Sequence, residues 1–197
     1  MGKIFCLMGK SSSGKDTIFR KLLNQEALQL EPIILYTTRP IRKHEIQGRE
    51  YHFTDIKTIE QYAEQGKVIE RREYHTVKGI WTYCTIDDGT IDLSKHTYLI
   101  ITTLEAYQQL QRYYGKAFVV PIYIQVKDGI RLERAMRREH RQVYPNYDEL
   151  CRRFLADNQD FSLSKLKAAD IQTFYHNENL ADCLKKIKAM IAKVVSC

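Results

Sequence analysis

Nothing in this chain is spaced like a metal knuckle or a disulfide framework. Its five cysteines, Cys6, Cys84, Cys151, Cys183 and Cys197, are scattered, with no C-x-x-C pair among them. That argues against a structural zinc site and against an oxidising compartment. The six histidines show no ligand spacing either, and most are expected on the surface. No apolar run reaches the roughly 20 residues that cross a bilayer. Repeats, low-complexity tracts and linker-like stretches are missing too, so the 197 residues read as one domain large enough to bury a core. The first residues pass straight into an apolar run and a Gly-rich turn, so no signal peptide is expected. The expected setting is reducing and cytoplasmic, with no membrane partner.

What is present is an ordinary globular composition, 44% hydrophobic and 28% charged, with a formal charge of +7. A basic balance suits an anionic partner such as a nucleotide, a nucleic acid or a membrane surface, and charge alone does not choose among them.

The choice comes from one stretch, Gly9-Lys10-Ser11-Ser12-Ser13-Gly14-Lys15-Asp16-Thr17. It follows the apolar run Ile4-Phe5-Cys6-Leu7-Met8, which reads as a buried strand. It precedes Ile18, Phe19, Leu22 and Leu23 at helical spacing. Strand, Gly-rich turn, Lys and helix in that order make a phosphate-cradling loop. The glycines let successive N–H groups turn inward, the helix start adds its positive dipole end, and Lys15 supplies a mobile charge for the terminal phosphates. A Ser or Thr normally follows the Lys and touches Mg²⁺; here Asp16 stands there. A carboxylate is also a hard oxygen ligand, so Asp16 is the candidate metal residue, against the plainer role of an acid at a helix N-terminus.

Further along, Glu31-Pro32 is expected to end the first helix, and Ile33-Ile34-Leu35-Tyr36 to form a second buried strand. A polar, basic segment follows, too rich in turn residues for a helix, with Arg39 and Arg42 beside Thr38 and Tyr51 hydroxyls. Such forks can hold an anion, or they can simply face water. A helix over residues 55–65 leads to a strand-like run with Glu70 and Glu73, then a turn over residues 75–79 and a strand over 80–85.

Here the sequence resembles the guanylate kinase family. The likeness rests on the loop at residues 9–17, Thr37-Thr38-Arg39-x-x-Arg42, then Glu45, Gly48, Tyr51-x-Phe53 and Val68-Ile69-Glu70. It is in register from the N-terminus to about Glu70 and returns in the last third. The resemblance implies a kinase that phosphorylates GMP from ATP, with Mg²⁺. It implies ATP phosphates on residues 9–17, the GMP phosphate on Thr38, Arg39, Arg42 and Tyr51, and guanine read by Glu70. Guanine presents adjacent N1–H and N2–H₂ donors, which one carboxylate accepts together; the residues alone leave Glu70 and Glu73 both open for this.

Two departures are visible. The family's Tyr-Tyr-Gly-Ser/Thr is replaced by Trp81-Thr82-Tyr83-Cys84-Thr85, leaving Tyr83 or Thr82 to touch the phosphate, with Trp81 as packing. The family's Asp-x-Asp, which helps hold guanine and metal, is replaced by Ile101-Thr102-Thr103.

Residues 104–114 read as a helix ended by Gly115, and residues 118–126 as a strand in which Pro121 requires an end, an edge or a bulge. Two helices, 129–140 and 147–158, are dense in arginine. By position Arg134, Arg138 and Arg153 resemble the family's lid arginines, with Arg137 and Arg152 as solvated neighbours. A last strand is expected over 169–177 and a helix over 180–195. Asn177 resembles the family's Asn near the adenine pocket.

Strands alternating with helices point to an α/β fold: a P-loop NTPase-type parallel sheet flanked by helices, with a small mixed substrate-binding lobe and a helical lid. The expected division is a core of residues 1–35, 95–128 and 155–197, an acceptor lobe at 36–94 and a lid at 129–154. The partners expected are ATP and GMP, not nucleic acid; the oligomeric state is open. Two rivals stand beside this reading: a phosphotransferase for another small phosphorylated acceptor, and a non-catalytic phosphopeptide-binding module.

Overall fold

Strand β1 (Ile4–Met8) has all five residues buried, so it must be covered on both faces. The structure, a computed structural model, describes residues 1–76 and 79–195. β1 lies in the middle of a five-stranded sheet with β2 (Leu30–Pro32), β7 (Thr97–Ile101), β8 (Val119–Gln125) and β9 (Phe174–His176). The order is β2-β7-β1-β8-β9, and every pairing is parallel. Alternate residues of β1 feed two cores. Phe5 and Leu7 pack with Ile18 and Leu22 of α1 (Lys15–Leu23) and with Ile187 and Ile191 of α7 (Leu180–Val195). Ile4, Cys6 and Met8 pack on the other face with Leu104, Tyr107 and Leu110 of α3 (Leu104–Tyr114) and Leu166 of α6 (Leu163–Ala168).

A second, four-stranded sheet is inserted between β2 and β7. It contains β3 (Tyr36–Thr37), β4 (His52–Phe53), β5 (Val68–Thr76) and β6 (Gly79–Ile86), in the order β4-β3-β6-β5. It is mixed: β3 runs parallel to β4 and antiparallel to β6, and β5–β6 form a long antiparallel ladder. Helix α2 (Ile56–Glu64), capped by the Asp55 side chain on the Thr58 N–H, covers one side of it. Its buried cluster is small, Ile59, Cys84 and Ile86. Val77 and Lys78, within the turn expected over 75–79, lie outside the described residues. Two more helices, α4 (Asp128–Glu139) and α5 (Tyr147–Asp160), pack against each other after β8.

The sequence reading needs four corrections. The first helix ends at Leu23, and the second strand of the parallel sheet is Leu30–Pro32 rather than 33–36. Residues 33–35 are apolar because they carry the chain from one sheet to the other: Ile33 is buried and Leu35 packs against the same cluster, without belonging to a ladder. Pro32 is tolerated because β2 is an edge strand. The last strand is only Phe174–His176, and the short helix α6 was not anticipated. Pro121 sits opposite Cys6 of β1, while β9 covers β8 only from Tyr123 onward, so its missing N–H falls where the ladder is locally an edge. Among the described residues no helix is long and apolar enough to cross a membrane.

Candidate active site

The turn between β1 and α1 has the backbone that the Gly spacing predicts. Gly9 has φ 148° and Gly14 φ 90°. A Cβ on Gly9 would stand 2.5 Å from the Ile124 carbonyl, and one on Gly14 would stand 2.5 Å from Asn177 Nδ2, so neither place admits a side chain. Ser12 also has positive φ, 61°, which an L-residue adopts at a cost. Gly14 is the N-cap of α1 and has no side chain to close the first turn, so the helix start is open to an anion. Lys15 Nζ donates to the carbonyls of Gly9 (2.6 Å) and Lys10 (3.0 Å), folding its chain back over the loop. Burial pushes its pKa below the usual lysine value, and the nearby carboxylates of Asp16 and Asp157 oppose that shift.

Asn177 closes the loop from the far end of the chain. Its Nδ2 donates to the Ser13 carbonyl at 2.7 Å, and its N–H to the Gln125 carbonyl at 2.9 Å. Three buried polar atoms gather here with no protein partner: the hydroxyls of Ser12 and Ser13, and Asn177 Oδ1. Buried orphans are costly and uncommon; the two hydroxyls can donate to an anion, whereas Asn177 Oδ1 can only accept and needs a donor. Asp16 is exposed in the first turn of α1.

The lid is clamped to this loop by residues the sequence reading did not single out. Arg131, 1% exposed, donates Nε to the Ser11 carbonyl (3.0 Å) and Nη2 to Asp157 (3.0 Å), and also pairs with Asp128. Its guanidinium lies 4.8 Å from the centre of the Phe154 ring. Asp157 Oδ2 also accepts the Ser11 N–H at 2.7 Å, and Lys10 Nζ donates to Asn158 at 2.6 Å. Arg131 and Asp157 stand on different helices, so no spacing rule could have joined them. Of the expected lid arginines, Arg138 and Arg153 line a crevice with Ser11 and Ser12, and Arg134 donates to the Asn177 carbonyl at 3.0 Å. Arg137 and Arg152 pair with Glu133 and Glu149 in solvent, as expected of neighbours on the outer face.

The acceptor side is ordered by the β5–β6 register. Glu70 pairs with Thr85, Arg72 with Tyr83 and Tyr74 with Trp81 on one face; Arg71 pairs with Cys84 and Glu73 with Thr82 on the other. This separates the two candidate carboxylates. Glu73 is bound by Arg71, which also reaches Glu60 of α2. Glu70 is buried beneath the opposite face, and Thr85 Oγ1 donates to it at 2.9 Å. Burial, and then the Glu70 charge, raise the thiol pKa of Cys6 in β1; the same two causes raise that of Cys84, to about 12.

Arg39 is 3% exposed and its fork is engaged: Nη1 and Nη2 hold the two Glu45 oxygens (3.0 and 2.7 Å), Nη1 the Pro40 carbonyl and Nε the Tyr83 hydroxyl. The rings of Tyr51 and Phe53 flank the same guanidinium at 5.3 and 5.5 Å. Tyr51 and Tyr83 meet edge to face at 5.6 Å. Thus Arg39, Tyr51 and Tyr83 touch one another, and Glu70 lies on the same face of the ladder, held by Thr85 and by Arg72, the residue opposite Tyr83. Thr82 faces the other way, and the Thr38 hydroxyl is spent accepting the Thr82 N–H. Arg42 is exposed, and its N–H donates to Glu45. Where the family carries Asp-x-Asp, Thr103 caps α3 by accepting the Ala106 N–H.

The comparisons with known proteins agree with this geometry. The family model "Guanylate kinase" matches residues 1–194. A guanylate kinase of Paraburkholderia xenovorans is 27% identical over 196 residues, spanning 97% of this chain and 80% of that protein. One from Porphyromonas gingivalis is 22% identical over 200 residues, the full length of both. The crystal structure of guanylate kinase from Anaplasma phagocytophilum superposes with a TM-score of 0.63 at 20% identity, covering 98% of this chain and 85% of that one, which establishes the common fold.

Proposed function

The chain belongs to the guanylate kinase family, and on that premise we propose the residue roles by which it transfers the γ-phosphoryl group of ATP to GMP, giving ADP and GDP. The β- and γ-phosphates of ATP lie in the loop at residues 9–17, against the first-turn N–H groups of α1 and Lys15, whose ammonium exchanges its two carbonyl partners for phosphate oxygens. Asn177 and Arg134 border the adenosine end. Arg138 and Arg153, beside Ser11 and Ser12, neutralise charge on the group in flight. On the acceptor side Arg39, Arg42, Tyr51 and Tyr83 hold the GMP phosphate, while Glu70 accepts from the guanine edge.

Little covalent chemistry is asked of the protein. A GMP phosphate oxygen attacks the γ-phosphorus in line, the bond to the β–γ bridging oxygen breaks, and ADP leaves. Alignment, charge neutralisation and exclusion of water supply the catalysis. For Mg²⁺, one exposed carboxylate next to Lys15 suits the pattern in which the ion takes one or two protein oxygens and otherwise phosphates and water, so Asp16 is its candidate ligand. When bound, the ion neutralises phosphate charge. The observation that carries the reading is the loop itself, with its two obligatory glycines, folded-back Lys15 and two unpartnered buried hydroxyls.

A different small phosphorylated acceptor is favoured by one observation: Thr103 serves as a helix cap where the family has a carboxylate. A coupled assay of ADP release with GMP, IMP, AMP, CMP and UMP decides. Turnover with GMP above the others is expected; ATP turnover with none of them would overturn the reading.

A further inference from the structure

The base reader does not stand open. Both oxygens of Glu70 are held by a single neighbour on its own strand: Arg72 Nε reaches Oε2 at 2.9 Å and Nη2 reaches Oε1 at 3.1 Å. Thr85 takes a further lone pair of Oε1. The Glu70 side chain is 0% exposed and that of Arg72 14%. The two residues meet because they are two apart on β5 and therefore share a face.

The chemistry of this contact is specific. A guanidinium presents two parallel N–H donors in a fixed fork, and a carboxylate meets them with both oxygens at once. The N1–C2–N2 edge of guanine is itself a cyclic guanidine presenting the same pair of donors. Arg72 therefore occupies the carboxylate edge that the base of GMP would use, with the same donor geometry and a positive charge in addition. The two cannot sit there together.

We propose that Arg72 is an internal plug, a stand-in for guanine that must leave Glu70 before the base of the acceptor can bind. The proposal rests on the assignment of Glu70 as base reader. Its consequence is thermodynamic. Only the fraction of molecules with Glu70 uncovered is competent, so the apparent affinity for any base that needs Glu70 is reduced by that fraction. The reduction is the same factor for GMP, which offers two donors, and for IMP, which offers one, because it is set before either base arrives. Acceptor binding is then an exchange of one fork for another, and the buried carboxylate is never left bare.

The test is calorimetry of GMP, IMP and ATP binding, with steady-state kinetics, on the wild type and on Arg72→Ala and Arg72→Lys. Arg72→Ala should tighten GMP and IMP by a common factor of about tenfold, as expected when a competent fraction near one tenth becomes nearly one. The KM for GMP should fall while the affinity for ATP stays put. Arg72→Lys keeps a charge without the fork and should lie between; it also serves if Arg72→Ala fails to fold. Unchanged or weaker GMP binding in the folded variant overturns the proposal. So does a changed GMP-to-IMP ratio, which would place Arg72 on the bound base. If the wild type neither binds nor phosphorylates GMP, the functional reading falls first and the plug with it. If it does both and Arg72→Lys gains nothing, only the plug falls.

Discussion

The two halves of the site are built from different material. The donor half is made of backbone: two glycines that admit no Cβ, a helix start, and carbonyls that hold Lys15 until a phosphate arrives. The acceptor half is made of side chains that satisfy one another, Arg39 with Glu45 and Arg72 with Glu70. A backbone cradle is specified by local spacing and keeps its shape when empty. A side-chain pocket in a low-dielectric place must either be filled or fill itself, since a bare buried charge is costly. The lid belongs to the first kind of construction only because Arg131 and Asp157 fasten it there.

That contrast can be broken at the fastening. Asp157→Ala takes one of two carboxylates from the buried Arg131, which keeps Asp128, and frees the Ser11 N–H; it should cost about 1.5–3 kcal/mol, the range for hydrogen bonds to a charged group. A denaturant midpoint shifted by less than a third of that would mean the lid is not fastened by this contact. On the chemistry, Lys15→Ala should lower kcat by roughly 10²–10³-fold, the effect of deleting one preorganised charge-stabilising group. It should leave the GMP affinity alone; a parallel loss of GMP binding would show that the halves are not separately built.

The acceptor half should answer to acid pH through Glu45. Hydrogen bonds from Arg39 hold the Glu45 carboxyl below its usual pKa. A carboxylate lowered on folding contributes stability that is complete above its ordinary value of 4.5 and is lost as pH falls through the lower folded value. Glu45→Gln should cost about 1–3 kcal/mol near neutrality, as expected for bonds to a charged group. It should also flatten the fall in Tm below about pH 4.5, where the unfolded-state carboxyl protonates; an unaltered acid limb would remove the role. The smallest change sharpens the donor half. Ser12→Gly relieves a positive φ worth roughly 1–2 kcal/mol against a Gly entropy cost of about 0.5–1 kcal/mol. A net gain of under about 1 kcal/mol, read as a modestly higher Tm, is expected. A loss would mean that Ser12 finds a partner in solution.

How much of this was legible in advance follows the same division. The loop at residues 9–17 and the helix behind it could be read from spacing, because each group acts through its own backbone. The helix at Leu104–Tyr114 was equally plain, being periodic and ended by Gly115; its Thr103 cap was not read. Glu70 could not be told from Glu73 without the strand register that puts them on opposite faces. Thr85, Arg131 and Asp157 act through contacts across strands and helices, and a sequence shows such residues only as charges and hydroxyls. The misplaced second strand has a similar cause: the Ile33 and Leu35 side chains are buried by a crossing between sheets, which has the apolar pattern of a strand without its ladder.

One feature of the topology bears on how the chain is made. β1 emerges first, yet its ladder partners are β7 and β8, and the loop that follows it is closed by Asp157 and Asn177. A nascent polypeptide halted before β9 therefore carries every residue of the triphosphate cradle and lacks a side chain that shapes it. The cradle is thus completed by residues far along the chain, although its own stretch is residues 9–17.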